Sequence, residues 1–105
     1  VEPENHVTPE LIRRTVAAHY GTDEETLQSR RRDRNTATAR HVAVYLTREI
    51  TPLSLPQIGA LYGDRDHTTI LNSIERIDEG VGQDPEITTS VEILRAELHS
   101  PRENS

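Results

Sequence analysis

Asp66, His67, Thr68 and Thr69 stand in a row within the stretch SLPQIGALYGDRDHTTILNSIERI, residues 54–77. Their chemistry is hydrogen bonding. An ionised Asp accepts, His donates or accepts, and Thr offers a hydroxyl beside a methyl. At the start of a helix these types suit DNA base edges: Asp66 can accept from cytosine N4, His67 can donate to a purine acceptor, and the Thr methyls can pack on thymine methyls. An Asp close to phosphates costs Coulomb energy, which a base contact gives a reason to tolerate and the positive helix end partly offsets. The same residues also make an ordinary helix start, with Asp66 as N-cap, so spacing alone leaves a plain helical hairpin open.

A second constellation lies upstream in Ser29-Arg30-Arg31-Arg32-Asp33-Arg34-Asn35, a loop with four arginines and no apolar residue. Arginine forks suit phosphate and guanine, and a flexible arginine loop can follow the narrow minor groove of an A·T-rich duplex. As a plain alternative the run is a solvated surface. Arg40 and Arg48, two turns apart on a predicted helix, are spaced to grip one phosphate backbone, or else serve solubility.

Other chemistries find less support. Asp66-His67 has no nucleophile beside it and no pocket, so the chain is not expected to be an enzyme. His6, His19, His41, His67 and His99 are not spaced as a metal pair, and no Cys exists for a thiolate site. A P-loop requires a lysine; all twelve basic residues are Arg, so ATP binding is not expected and no cofactor is assigned. The missing lysine itself is put down to genome composition.

The elements that must position these groups read as all helix, about six of them. Thr8 caps a helix from Pro9 to about Tyr20, stopped by Gly21. Thr22 and Glu25 have capping-box spacing for a short helix ending near Leu27. After the arginine loop a longer helix runs from Thr36 to Glu49, with Ala39, Val42, Ala43, Leu46 and Ile50 on one side and Arg40, His41 and Arg48 off it. Ser54 and Gln57 open a short helix ending at Gly63. Asp66 caps the next, with Ile70 or Leu71, Ile74 and Ile77 inward, stopping near Gly80. Asp84 and Pro85 open a last helix with Ile87, Val91, Leu94 and Leu98 on one face. That stripe either closes the core or docks a partner; closing the core is the simpler reading.

Without Trp, Phe, Met or Cys, the core must come from Leu, Ile, Val, Ala and three tyrosines. The net charge of −6 argues at first against nucleic acid, but its distribution does not. Ser29 to Arg76 holds eight arginines against five acids, a local +3; the remainder holds four against thirteen, a local −9. No apolar run can span a membrane and no signal peptide is visible. The absence of Cys fits a reducing compartment. The chain begins at Val1, which suits a domain excised from a longer protein as well as a freestanding one.

The two motifs together carry a resemblance. SLPQIGALYGDRDHTTILNSIERI and the upstream RRRDRNTATARHVAVYLTREIT are similar to the C-terminal DNA-binding domain of the DnaA family of bacterial replication initiators. The likeness runs from about Thr8 to Ile77 and more loosely to Leu98. It implies sequence-specific binding of duplex DNA at DnaA-box-like sites in origin recognition, through a helix-turn-helix. It implies base reading by Asp66, His67 and Thr68, thymine-methyl or nearby contacts by Thr69, Leu55 and Pro56, and minor-groove insertion of Arg32. Arg40, His41, Arg48, Asn72 and Arg76 match phosphate-facing positions, and Arg30, Arg31, Arg34 and Arg65 are assigned to the backbone with them. It also implies a cytoplasmic, nucleoid-associated location, and as partners DNA, an ATPase domain of the same polypeptide or a replication regulator. A single helix-turn-helix on an asymmetric site suits a monomer.

Four positions depart from the family pattern: His41 where Gln is frequent, Asn72 where His is, Thr38 at a basic or small position, and Glu75 at a basic one. His41 and Asn72 can still donate to phosphate; Glu75 weakens the phosphate grip at the end of its helix, and the acidic flanks imply weaker non-specific binding and a shallower salt dependence. The expected layout is an N-terminal extension over 1–7, the DNA-binding domain over 8–99 and a loose tail over 100–105.

Overall fold

The computed structural model describes residues 7–99 and contains six helices: α1 Pro9–His19, α2 Glu24–Gln28, α3 Arg34–Ile50, α4 Leu55–Leu61, α5 His67–Gly80 and α6 Pro85–His99. The expected all-α class holds. Most of the expected extension and the tail lie outside the described residues; Val7, at the extension's end, packs against the core.

Side-chain caps set the helix starts. Asp23, Asp33 and Asp66 each accept from the backbone N–H three residues on, at Thr26, Thr36 and Thr69. The short helix therefore starts one residue beyond the expected Thr22 cap, because Thr22 is committed to ending α1. Gly21 takes φ +71, the Gly21 N–H reaches the Ala18 carbonyl at 3.1 Å, and the Thr22 N–H reaches the Ala17 carbonyl at 2.8 Å. That pair of bonds is a Schellman ending. Likewise α3 begins at Arg34 rather than Thr36: Asp33 Oδ2 takes both the Thr36 N–H at 3.1 Å and its hydroxyl at 3.0 Å. The last two residues of the expected loop are thus helical. Ser54 and Gln57 form the expected reciprocal capping box, and Asp84 accepts from the Glu86 N–H at 3.0 Å.

α3 is the central element, touching every other helix. It buries Ala39, Val42, Ala43 and Leu46 as expected, and with them Thr36, Arg40, Val44 and Thr47. Two adjacent stripes are covered, because α1 and α2 lie on one side and α5 on another. Of the three tyrosines only Tyr62 is fully buried. Its hydroxyl meets Thr47 Oγ1 at 3.2 Å, Thr47 donates on to the Ala43 carbonyl at 2.7 Å, and burial pushes the phenol up to about 12. Arg13 donates to the Leu61 carbonyl at 2.8 Å and stacks over the Tyr62 ring, locking α1 to the end of α4.

Val91, Leu94 and Leu98 of α6 are buried and Ile87 is half-buried. The stripe closes the core, so it is not free to dock a regulator. Arg95 adds a two-pronged bond to Glu49, 2.8 Å at each oxygen, tying α6 to the end of α3. On α5, Ile70 is the inward residue and Leu71 is 40% exposed, which decides between the two. No described helix is long and apolar enough to cross a membrane.

Candidate nucleic-acid interface

α4 and α5 are joined by Tyr62-Gly63-Asp64-Arg65, with positive φ at Gly63 (+86°) and Asp64 (+57°). The Arg65 N–H returns to the Gly59 carbonyl at 3.0 Å, so the turn folds back on α4. A Cβ at Gly59 would sit 2.0 Å from the Arg65 carbonyl oxygen, and one at Gly63 would sit 2.4 Å from the Gln28 carbonyl oxygen. Both approaches are backbone against backbone, which only glycine permits here. The second presses the turn against the segment that leads into the arginine loop. Neither role was read from the sequence, although a glycine inside the short helix SLPQIG was its visible trace.

The turn delivers α5 with its N-terminus open to solvent. Asp66, His67, Thr68 and Thr69 are all exposed. Asp66 is indeed the N-cap: Oδ1 accepts from the Thr69 N–H at 2.9 Å. Bonds from the Thr69 backbone and hydroxyl hold its carboxyl below the usual range. It is therefore an anion at neutral pH and acts only as an acceptor, with Oδ1 taking the capping bond. The side chains of His67 and Thr68 have no partner among the described residues. Pro56 is exposed and Leu55 half-buried at the start of α4.

The arginine loop lies beside this end. Arg30, Arg32 and Arg34 are exposed, and Arg31 pairs with Asp33 at 3.0 Å. An open cleft of about 640 Å³ lies between loop and helix, with Arg30, Arg32, Arg40, Arg65, Thr69 and Ser73 among the residues that line it. Arg48, Asn72 and Arg76 are exposed, and Arg48 donates to the Leu53 carbonyl at 3.0 Å.

Three expected backbone contacts sit differently from their sequence reading. Arg40 is only 6% exposed instead of lying on a polar face. Its Nε donates to the Leu27 carbonyl at 2.8 Å, and its Nη2 to the Ser29 and Arg31 carbonyls at 3.0 and 2.9 Å. Burial, and then the charge of Arg65, lower it to about 10, so it stays charged at neutral pH. The reason is positional: residue 40 falls inside the buried stripe Thr36, Ala39, Ala43, Val44, Thr47. Arg65 is half-buried; Nη1 donates to the Tyr62 carbonyl and Nη2 to the Ser29 carbonyl at 2.8 Å. Burial, followed by the Arg30 charge, lowers it too. His41 turns into the α3–α5 seam, where Nδ1 shares a 2.8 Å hydrogen bond with Ser73 Oγ. Burial first, then the charges of Arg76, Arg40 and Arg65, pull it down to about 4. It is neutral at pH 7 and brings no charge to a phosphate.

Comparison with known proteins adds a family to this geometry. The sequence family described as the bacterial dnaA protein helix-turn-helix matches residues 9–77. The chromosomal replication initiator protein DnaA of Roseiflexus castenholzii is 48% identical over 92 residues, covering 88% of this chain and 19% of that protein. The protein of the same name from Brucella abortus is 43% identical over 82% of this chain and 17% of its own length. That of a Geobacter species is 37% identical over 93% and 21%. The chain thus spans about a fifth of the length of these curated relatives.

Proposed function

The chain belongs to the bacterial DnaA helix-turn-helix family, and we propose that it binds duplex DNA sequence-specifically at DnaA-box-like sites, as the DNA-reading part of a replication initiator. The observation that carries this reading is the open α5 N-terminus set across one cleft from an exposed arginine loop. In a helix-turn-helix the second helix enters the major groove by its N-terminal residues. Here that end presents an anionic acceptor, an imidazole and two Thr methyls in sequence. Asp66, His67, Thr68 and Thr69 read base edges, with Leu55 and Pro56 meeting thymine methyls or nearby sugar. Arg32 enters the adjacent minor groove. Arg30, Arg31, Arg34, Arg48, Asn72 and Arg76 hold phosphates, which set position while the base contacts specify.

The module carries no reaction and takes no cofactor. Its partners are DNA and, in a longer polypeptide, an ATPase domain or a regulator of replication; its place is the cytoplasm, on the nucleoid. The acidic remainder of the chain keeps non-specific attraction low and favours docking by the basic face.

A mobility shift with a DnaA-box duplex against a scrambled duplex of equal length tests the proposal. The box duplex is expected to bind at least about a hundredfold more tightly. Equal affinity for both would refute it.

A further inference from the structure

Two arginines that line the cleft bond to backbone carbonyls of the chain itself. Arg40 comes from the buried centre of α3, Arg65 from the turn inside the helix-turn-helix, and both donate to the same atom, the Ser29 carbonyl oxygen, at 3.0 and 2.8 Å. Arg40 also holds the Leu27 and Arg31 carbonyls, so it grips the chain on either side of Ser29. Arg65 holds the Tyr62 carbonyl with its other prong. The Gly63 backbone lies against the Gln28 carbonyl beside them. The arginine loop is therefore fastened to the helix-turn-helix directly, at its first residue, and not only through the core.

Resting on the DNA-binding reading above, we infer that Arg40 and Arg65 are positioning residues that couple Arg32 in the minor groove to α5 in the major groove. A planar guanidinium with several N–H groups at fixed angles can bridge separate carbonyls at once; an ammonium on a flexible stem cannot hold the same set. Their charge still contributes to the potential of the cleft. Their hydrogen bonds are spent on the chain itself. Loss of the forks leaves Ser29 held only within α2, by its bonds to the Thr26 carbonyl, with no hydrogen bond to α3 or to the turn before α5, and Arg32 no longer arrives in register with Asp66.

The test is a fluorescence-anisotropy titration of the whole chain with the box duplex and a scrambled duplex at several salt concentrations. Arg40→Lys and Arg65→Lys keep the charge and remove the fork. In the unaltered chain Arg32→Ala and Asp66→Ala are each expected to weaken box binding about tenfold or more. In the Arg65→Lys background the cost of Arg32→Ala should shrink below about threefold. The cost of Asp66→Ala stays, because the α5 end is still capped and presented. The salt slope of Arg65→Gln, which removes the charge as well, should move by less than about half a unit, since no phosphate contact is removed. An undiminished Arg32→Ala cost in both lysine backgrounds would overturn the inference. So would a drop of about one unit in the slope for the charge-removing Arg40→Gln or Arg65→Gln, which marks a direct phosphate contact. A merely weakened fold would lower the Asp66→Ala cost as well, and that too counts against coupling. Should Arg40→Lys fail to fold, as read by circular dichroism, the half-buried Arg65 carries the test alone. If the unaltered chain binds box and scrambled duplexes equally, the functional reading itself fails and the inference goes with it.

Discussion

The starts of α3 and α5 are built alike and used differently. Each opens with Asp-x-x-Thr, and in each the Asp carboxylate takes the backbone N–H and hydroxyl side of that Thr. At α3 Asn35 and the capped Thr36 are tied to the body of the protein, while Arg34 faces solvent. Asn35 donates to the Tyr20 carbonyl at 2.9 Å and Thr36 is buried. At α5 the equivalent His67 and Thr68 face solvent and Thr69 borders the cleft. Identical capping chemistry thus anchors one helix and presents the other. A cap motif says that a helix begins; what surrounds it says whether the beginning is structural or available to a ligand.

The comparison can be broken most strongly at the turn that creates the presentation. Gly59→Ala drives a methyl to within 2.0 Å of the Arg65 carbonyl oxygen. It should destabilise the protein by about 3 kcal/mol or more in urea titrations, and box binding should fail with it. An unchanged midpoint would show that the turn can open without loss.

The two caps separate next. Asp33→Ala and Asp66→Ala should lower the melting temperature by similar amounts, about 5 °C each. Only Asp66→Ala should also relax discrimination at one base pair, with box affinity falling about tenfold. Equal loss of discrimination from both would mean that the α5 start is an ordinary cap.

The seam between the two helices is sensitive to acid. The His41 pKa is depressed to about 4 in the folded protein against 6.5 in its ordinary state, so the unfolded chain binds the extra proton first. Its contribution is fully present above about pH 6.5 and is lost as pH falls toward 4, by roughly 2–3 kcal/mol in all. His41→Gln keeps a hydrogen-bonding partner for Ser73 and carries no titrating group. Stability measured between pH 6.5 and 5 should be flatter in that variant. An unaltered pH profile would place the sensitivity elsewhere.

The smallest effect is expected at Arg48, exposed and tied only to the Leu53 carbonyl. Arg48→Ala should leave stability within about 0.5 kcal/mol and reduce the salt slope of DNA binding by about one unit, without changing discrimination.

Much of this arrangement was legible in the residues. The α5 cap, the Ser54–Gln57 box, the Gly21 stop and the α6 stripe each follow from local rules, and the structure keeps them. Asp33 is hidden as a cap because a run of arginines reads as loop, although Asp33 and Thr36 have the spacing of the other two caps. Arg40 and His41 lie inward for a reason that periodicity does not carry. Periodicity assigns arginine and histidine outward by type, whereas α3 is covered on two sides and position 40 is inward by angle. What compensates their burial is tertiary: carbonyls of residues 27, 29 and 31 for Arg40, and Ser73 for His41. No one-dimensional pattern contains those partners. Gly59 and Gly63 belong with them, since the backbone each one admits comes from another part of the chain.

The span between Ser29 and Asp33 has a further consequence. Ser29 is held by two guanidiniums and Asp33 by the first turn of α3, so Arg30, Arg31 and Arg32 form a span of three residues with both ends fixed and its middle held where Arg40 meets the Arg31 carbonyl. Such a span is a ruler. One inserted residue lengthens it by up to about 3.5 Å, close to the roughly 3.4 Å step of one base pair along duplex DNA. Loop length, independent of any side chain, would then set how many base pairs separate the minor-groove anchor from the major-groove site.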